Sequence, residues 1–232
     1  TGVQTCALPI CRHAGWIAGA AGLATEVEGD PPHIILFPEI AFDRKKFLAR
    51  VKRCVQRYGH CVVVASEGTR YADGSFLAQS STRDAFGHVQ LGGVAPTLAG
   101  MVQEEHGYKF HWALADYLQR SARHIASATD LQQAYAVGAA AVEMALDGKN
   151  AVMPSIVRGG GKRYSWRIGE APLEAVANVE KMMPRDYITR DGFGITEKAR
   201  EYFSPLIVGE DSPPYVRGLP KYARLKIGRA HV

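Results

Sequence analysis

Two short runs of almost entirely apolar residues flank a segment of helical periodicity. The runs are "HIILFPE" (33–39) and "HCVVVASEG" (60–68), and each has the length and composition of a buried strand. The segment between them, 42–59, repeats its apolar residues at helical spacing, with Asp43 as predicted N-cap and Gly59 as predicted stop. A strand, a helix and a second strand in this order predict a right-handed parallel βαβ unit.

The same alternation continues along the rest of the chain. Helical spacing predicts further helices over 14–27, 94–107, 128–149 and 172–184. Apolar runs predict further strands over 108–118 and 150–158, with a hairpin after the second. Asp130 is the predicted N-cap of the longest helix, a polar loop is expected over 69–92, and a proline-rich tail from 201 to 225 is expected along a surface. The pattern indicates an α/β fold with an open, mostly parallel sheet flanked by helices.

Composition narrows the classes of partner. The 232 residues are 47% hydrophobic and 22% charged, which is ordinary for a globular protein with a real core. The formal charge of +5 comes from scattered basic residues, whereas nucleic-acid binders usually cluster them on one face. The mild positive bias suits an anionic small molecule. Because the basic residues are scattered, no nucleic acid is expected as a partner. No run of about 18 apolar residues is present, so no membrane is expected as a partner either.

The cysteines indicate neither a disulfide framework nor a metal site. Of the four, Cys6 and Cys11 lie close to the beginning of the chain, which leaves Cys54 and Cys61 in the predicted core. Both are expected to be buried thiols of a protein in a reducing compartment, here the cytoplasm. The histidines show no metal-ligand spacing, and no metal-ligating residue is predicted in this chain.

The two ends of the chain are related at the level of codons. One permitted codon string for "IGRAHV" (227–232), read on the opposite strand with two bases added before it and one after it, encodes residues 4–10. The same string matches a common sequencing-library adapter, which also accounts for residues 1–3. We therefore predict that 1–10 and 227–232 are translated adapter and that the natural part is 11–226. A source genome that continues with the same codons across both junctions would refute this.

Polar residues at strand ends are the candidates for chemistry, because open parallel sheets bind ligands beyond the carboxyl ends of their strands. Glu67 follows an apolar strand, where its carboxylate would accept hydrogen bonds from a polyol; the alternative is a solvated loop or helix-capping glutamate. Tyr117 and Arg120 follow the strand at 108–116, and Arg123 lies one turn further. An arginine fork matches phosphate oxygens, but exposed arginines are also common in surface ion pairs.

Arg12 precedes the first predicted helix, whose N-terminus would favour an anion. The alternative is the frayed start of a packed helix. Several well-known motifs are missing from the sequence: the "GGGKR" at 159–163 lacks the spacing of a phosphate loop, no G-x-G-x-x-G follows a strand, and no G-x-S-x-G elbow occurs. A dinucleotide-binding domain is therefore disfavoured.

Five motifs in order along the chain resemble the 6-phosphofructokinases. They are "RHAGWIAGAAGLA", "FPE", "VVVASEG", "DAFGHVQLGG" and "ADYLQRSARHIASATDLQQAYAVGAAAVEMALDGK", and they look most like the pyrophosphate-dependent branch. The later "DGFGIT" and "FSPLIVGE" resemble that branch as well. The resemblance spans nearly everything between the predicted adapter ends. It implies a phosphofructokinase-like fold with Rossmann-like layers, in which 11–226 are the sugar-phosphate-binding portion.

The resemblance also implies roles for particular residues. Arg12 matches the arginine of a Met-Gly-Arg motif that holds fructose 6-phosphate, with Cys11 standing where the family has glycine. Glu67 matches the family's substrate glutamate, and Tyr117 with Arg120 matches its phosphate clamp. A basic residue that reaches the phosphate of a neighbouring subunit would fall at His111, or at Lys109 nearby.

The family's catalytic Thr-Ile-Asp-x-Asp loop and its glycine-rich donor site are not in this sequence and would lie upstream. The expected enzyme is a homo-oligomer that uses Mg²⁺ and transfers phosphate from pyrophosphate to fructose 6-phosphate, with this chain alone inactive. The Mg²⁺ would be held mainly by the upstream half. Two alternatives stay open: an ATP-dependent enzyme of the same family, and a non-catalytic subunit that senses a sugar phosphate.

Overall fold

A computed structural model describes residues 3–8, 13–77, 79–83, 89–91, 93–115, 118–161 and 163–221. The elements up to residue 114 are β1 (Val3–Leu8), α1 (Trp16–Ala20), β2 (Ile34–Leu36), α2 (Arg44–Tyr58), β3 (Cys61–Ser66), β4 (Gln79–Arg83), β5 (Val89–Leu91), α3 (Val94–His106) and β6 (Phe110–Leu114). The elements that follow are α4 (Leu118–Ser121), β7 (Ala126–Ser127), α5 (Ala128–Leu146), β8 (Val152–Arg158), β9 (Trp166–Pro172), α6 (Leu173–Val176), α7 (Glu197–Phe203), β10 (Glu210–Asp211), β11 (Tyr215–Val216) and β12 (Leu219–Pro220).

The central sheet is parallel and has the strand order β2-β3-β1-β6. The predicted βαβ unit is confirmed, since β2 and β3 pair in parallel and α2 connects them. The expected open, mostly parallel α/β sheet is confirmed with it. Strand β1, which consists of residues assigned above to translated adapter, lies between β3 and β6. The structure does not test the DNA origin of those residues, so the adapter assignment stays a prediction.

Apolar side chains of β2 and β3 point alternately to the two faces of the sheet. Ile34 and Val63 face α2 and α3, where they form one hydrophobic core with the buried sides of those helices. Ile35 and Val64 face the opposite layer, where α1 and α7 form a second core. Helices on both faces explain why these strands read as continuous apolar runs.

Helix α2 begins and ends where the sequence predicts. The side chain of Asp43 accepts a hydrogen bond from the backbone N–H of Lys46 at 3.0 Å, as an N-cap does. Gly59 takes the left-handed conformation at φ 79° and ends the helix, a position where any other residue would be strained.

Two predicted helices are shorter than expected. The helix predicted over 14–27 ends at Ala20 and continues as a 3₁₀ turn to Ala24. Beyond it, the carboxylate of Asp30 accepts hydrogen bonds from the backbone N–H groups of Glu26 and Val27, which therefore lie in a loop. The helix predicted over 172–184 consists only of α6, since Ala177 is already extended and Asn178 follows at φ 57°.

Three other expectations are corrected. The polar loop expected over 69–92 contains the antiparallel hairpin β4–β5. The N-cap of α5 is Ser127, whose hydroxyl accepts from the backbone N–H of Asp130 at 3.1 Å, so Asp130 is not the cap. The tail does not lie wholly on the surface, since Phe203 at the end of α7 is buried in the second core. The predicted hairpin after β8 is confirmed by its antiparallel pairing with β9.

Large apolar side chains are exposed on two of the elements. Trp112 and Leu114 on β6 are 47% and 42% exposed. Tyr135 and Leu146 on α5 are 81% and 83% exposed. Apolar surface of this extent is unusual for an isolated soluble domain. Among the described residues, no helix has both the length and the apolarity needed to span a bilayer.

Candidate functional site

Two carboxylates follow the carboxyl ends of neighbouring parallel strands. Glu39 comes three residues after β2 and Glu67 comes directly after β3, so both lie at the edge where ligands of such sheets bind. Glu67 is buried, and its Oε2 accepts a hydrogen bond of 3.3 Å from the backbone N–H of Val94, the first residue of α3. Glu67 therefore contacts a helix N-terminus, as the capping alternative expects. This contact is compatible with a second set of acceptor bonds to a ligand.

Sequence reasoning did not single out Glu39, although "FPE" was part of the family resemblance. Its Oε1 accepts hydrogen bonds from the backbone N–H groups of Gly15 at 2.9 Å and Met183 at 2.8 Å. Its Oε2 is buried and has no hydrogen-bond partner among the described residues. The carboxylate thus fastens the turn at 13–15 to the segment before Pro184. An acidic residue just after a buried strand was the available signal.

Aromatic and charged side chains hold the same turn from the outside. His13 pairs with the carboxylate of Glu180, and its ring stacks on Phe76 with 5.7 Å between centroids. The indole N–H of Trp16 donates to the backbone carbonyl of Lys181 at 2.6 Å. These contacts favour an irregular backbone over 178–183. The carbonyl of Lys181 and the N–H of Met183 bond to the side chains of Trp16 and Glu39 instead of to other backbone groups of a helix.

The predicted phosphate clamp lies only partly within the described structure. The backbone of Arg120 belongs to α4, which begins four residues after β6 ends. The register aligns Ala7 of β1 with both Ala65 and Leu114, so α4 follows β6 at the edge that Glu67 occupies. The side chain of Arg120, and all of Tyr117, Arg12 and Cys11, lie outside the described residues. Their roles stay predictions.

The predicted residues for a neighbouring subunit's phosphate lie towards the other end of the sheet. The register aligns Gln4 with both Val62 and His111, and Lys109 directly precedes β6. Five residues of strand, about 16 Å at 3.3 Å per residue, separate the level of His111 from that of Glu67. Both side chains are exposed. They are too far away to share the site with Glu67 in one subunit, and a role towards a second subunit stays a prediction.

Arg123 already has a partner in this structure. Its guanidinium contacts Asp211 at the carboxylate Oδ1 and at the backbone carbonyl, both at 2.5 Å. Asp211 belongs to β10, which pairs with β7 close to Arg123. These contacts indicate that Arg123 fixes β10 beside β7. The binding role predicted for Arg123 stays a prediction.

Cavity volume does not by itself identify this site. A cleft of about 570 Å³ lies at the amino end of β2, around His33, Arg50 and Tyr58, which is the opposite end of the sheet from Glu67. Strand-end geometry and motif position are better guides than volume here, because parallel sheets bind ligands beyond their carboxyl ends. Among the described residues, no three His, Cys, Asp or Glu side chains group closely enough to hold a metal ion.

Comparison with known proteins fits this geometry. The phosphofructokinase family model matches residues 10–145, which is more than half of the chain. The chain belongs to the phosphofructokinase family. The matched segment contains strands β2, β3 and β6 of the parallel sheet and both strand-end carboxylates, whereas β1 lies before it.

Phosphofructokinase relatives resemble the chain over nearly all of its length. It is 63% identical over 214 residues to the pyrophosphate--fructose 6-phosphate 1-phosphotransferase of Halomonas elongata, covering 92% of this chain and 51% of the relative. The enzyme of the same name from Methylococcus capsulatus is 59% identical over the same shares. The chain therefore spans about half the length of the curated relatives it matches.

A solved structure has the same fold. The crystal structure of the pyrophosphate-dependent phosphofructokinase from Marinobacter aquaeolei superimposes with a TM-score of 0.81 at 58% sequence identity. The superposition covers 97% of this chain and 52% of the solved chain. The α/β phosphofructokinase fold expected from the sequence is confirmed.

Proposed function

We propose that the complete protein to which this chain belongs, called here the parent protein, transfers a phosphoryl group from pyrophosphate to fructose 6-phosphate. The product would be fructose 1,6-bisphosphate, and this chain would supply the sugar-phosphate half of the active site. The observation that carries the proposal is the 63% identity, over 92% of the chain, to an enzyme named for this reaction. The strand-end placement of Glu67 and α4 supports it.

Glu67 is proposed to bind the hydroxyls of the sugar phosphate, and the clamp residues Tyr117 and Arg120 are proposed to bind its phosphate. The Glu67 carboxylate would accept hydrogen bonds from sugar hydroxyls while Val94 N–H fixes its orientation. Arg120 would hold the 6-phosphate through a charged fork with Tyr117 beside it, and Arg12 would add a second positive charge. These contacts position the sugar 1-hydroxyl, and positioning with charge stabilisation is most of what catalysis of phosphoryl transfer requires.

The base that would activate the 1-hydroxyl is proposed to come from outside this chain, since the family's Thr-Ile-Asp-x-Asp motif is not in its sequence. Mg²⁺ is proposed to accompany the pyrophosphate, where it would neutralise phosphate charge. The described residues do not fit it, because they include no cluster of three carboxylate or other metal-ligating side chains. We therefore derive no step through the ion. A cytoplasmic homo-oligomer is proposed for the parent protein.

One specific observation keeps ATP as a second candidate donor. The chain is also 32% identical, over 75% of its length, to an ATP-dependent 6-phosphofructokinase of Mycobacterium leprae. The lower identity and the pyrophosphate-dependent relatives favour pyrophosphate. Upstream sequence that lacks the catalytic aspartate would instead favour the non-catalytic sensor.

The test is a donor assay on the parent protein, with fructose 1,6-bisphosphate formation measured at saturating fructose 6-phosphate and Mg²⁺. We expect turnover with pyrophosphate and little with ATP. Turnover with ATP alone would replace the donor assignment. No turnover with either donor, combined with measurable binding of fructose 6-phosphate, would support the sensor.

A further inference from the structure

One carboxylate joins three distant segments at the edge of the sheet where the candidate site lies. Oε1 of Glu39 accepts hydrogen bonds from the backbone N–H groups of Gly15 at 2.9 Å and Met183 at 2.8 Å. Glu39 follows β2, and Gly15 directly precedes α1. The start of α1, the end of β2 and the segment before Pro184 therefore meet at one oxygen atom.

The second oxygen of Glu39 lies against the same turn. Oε2 is buried and has no hydrogen-bond partner among the described residues. A Cβ atom added to Gly15 would lie 2.7 Å from Oε2, so the carboxylate occupies the space that a side chain at residue 15 would need. The two positions are thus matched in shape. A shorter residue at 39 leaves the turn without its acceptor, and a larger residue at 15 displaces the carboxylate.

The other polar contacts of the turn are more open to solvent. His13 pairs with Glu180, but the two side chains are 30% and 48% exposed, and ion pairs at such positions contribute little because water and salt compete for them. The hydrogen bond from the Trp16 indole to the carbonyl of Lys181 is exposed as well. Glu39 is therefore the main fixed point of the turn.

The turn directly follows an arginine that is proposed above to bring a positive charge to the sugar phosphate. Arg12 is the residue before His13, and consecutive Cα atoms are about 3.8 Å apart. Fixing the turn at 13–15 therefore also limits where the residue before it can go. Binding a phosphate does not then have to supply the cost of ordering this part of the chain.

We propose, on the basis of the function proposed above, that Glu39 is a positioning residue for fructose 6-phosphate. It fixes the turn at 13–15, so that Arg12 is held in place for the phosphate before the substrate binds. Glu39 does not itself touch the substrate, because it acts through the backbone N–H of Gly15. Loss of Glu39 weakens the binding of fructose 6-phosphate alone, since the pyrophosphate site is proposed to lie outside this chain.

Steady-state kinetics of the parent protein, with each substrate varied in turn, test this role. Glu39→Ala is expected to raise KM for fructose 6-phosphate about tenfold or more and to leave KM for pyrophosphate unchanged. Glu39→Asp keeps the charge but is one methylene shorter, and should raise the same KM. Glu39→Gln keeps an oxygen that can accept both N–H groups, and should hold KM within about threefold of the unmodified value.

Gly15→Ala in the parent protein tests the same contact from the other side. The added Cβ would lie 2.7 Å from Oε2 of Glu39 and displace the carboxylate, so KM for fructose 6-phosphate should rise here as well. In a Glu39→Ala background the collision with this oxygen is gone, and Gly15→Ala should add clearly less than it does alone. Effects that simply multiply would contradict a shared contact.

The matched control is Asp43→Ala, which removes another carboxylate that accepts a backbone N–H, that of Lys46 at 3.0 Å. It should lower stability and leave both KM values unchanged. A loss of folded protein lowers the measured kcat without a selective change in KM. If Glu39→Ala does not fold, Glu39→Asp carries the test. An unchanged KM for fructose 6-phosphate, equal rises in both KM values, or a Glu39→Gln variant as weak as Glu39→Ala would overturn the role.

Calorimetric binding of fructose 6-phosphate keeps this role apart from the proposed function. An unmodified parent protein that binds the sugar phosphate, with a Kd that Glu39→Asp leaves unchanged, would overturn the role of Glu39 alone. An unmodified parent protein that does not bind it would overturn the proposed function and this role together. A Kd that rises in Glu39→Asp and is restored in Glu39→Gln is the result expected.

Discussion

Glycine at position 15 is dictated by the space around it rather than by its backbone angles. A Cβ added there would lie 2.7 Å from Oε2 of Glu39 and 2.8 Å from Cδ1 of Phe37. The backbone at Gly15 has φ −85°, which any residue can adopt. The glycine therefore lets Glu39 approach and bind the backbone of the turn after Arg12.

Gly15→Ala is expected to destabilise the chain by about 1–3 kcal/mol, because Glu39 and Phe37 must move to make room. Urea unfolding followed by fluorescence measures the loss. The matched control is Gly100→Ala in α3, where an added Cβ has no neighbour within 4 Å and a helix interior gains from alanine. Equal effects of the two variants would contradict the account of the turn.

Arg120→Ala in the parent protein is expected to raise KM for fructose 6-phosphate by about tenfold or more, since a charged hydrogen-bonded contact is lost. Steady-state kinetics with pyrophosphate in excess measure it. Arg167→Ala, on the exposed strand β9, is the control and should leave KM unchanged. An unchanged KM in Arg120→Ala would remove this residue from the site.

The elements show what periodicity could and could not predict. Helix α2 is predictable to within two residues because both of its ends are set locally, by the Asp43 cap and by Gly59. Helix α6 is much shorter than the apolar spacing over 172–184 predicts, because Trp16 and Glu39 bind the backbone of that segment instead. Those partners lie more than 140 residues away in sequence, so no local pattern could reveal them.

Strand β1 shows a different limit of sequence reasoning. Residues 3–8 lack a strand-like pattern, yet they pair with β3 on one side and β6 on the other. Two parallel strands with free backbone groups facing each other accept any extended segment that fits between them, because ladder bonds involve only the backbone. Occupancy of this position is therefore compatible with the predicted adapter origin of the segment.

The candidate site was predictable where one motif sits at one strand end, as at Glu67. The family resemblance identified Glu67 as a substrate-binding residue, and the predicted parallel sheet placed it at the carboxyl end of a strand. Its hydrogen bond from the backbone N–H of Val94 could be seen only in the structure. Glu39 was missed because its function is to accept backbone N–H groups from distant segments. Such a role leaves no spacing pattern in the sequence.

Asp43→Ala is expected to lower the free energy of unfolding by about 1 kcal/mol, because the first turn of α2 loses the acceptor for the Lys46 N–H. Urea unfolding of the chain measures the change. Asp43→Asn keeps an acceptor oxygen at the cap and should cost clearly less. An alanine variant as stable as the unmodified chain would show that this cap does not contribute.

At the scale of the whole molecule, the exposed apolar faces of β6 and α5 are the features that most favour self-association of this chain. Trp112 and Leu114 on the strand, and Tyr135 and Leu146 on the helix, are all largely or partly exposed to solvent. We expect this chain to self-associate at micromolar concentration because apolar surface of this size favours association. Light scattering after size exclusion measures it. A monodisperse monomer that melts cooperatively would contradict the expectation.

The central claim is that this chain carries the sugar-phosphate half of a pyrophosphate-dependent phosphofructokinase and lacks the catalytic base. The most direct measurement is the rate of fructose 1,6-bisphosphate formation from pyrophosphate and fructose 6-phosphate, with the parent protein and this chain assayed side by side at equal molar concentration. The account predicts turnover by the parent protein and a rate indistinguishable from the buffer blank for this chain. Turnover by this chain alone, or a parent protein that cannot use pyrophosphate, would contradict it.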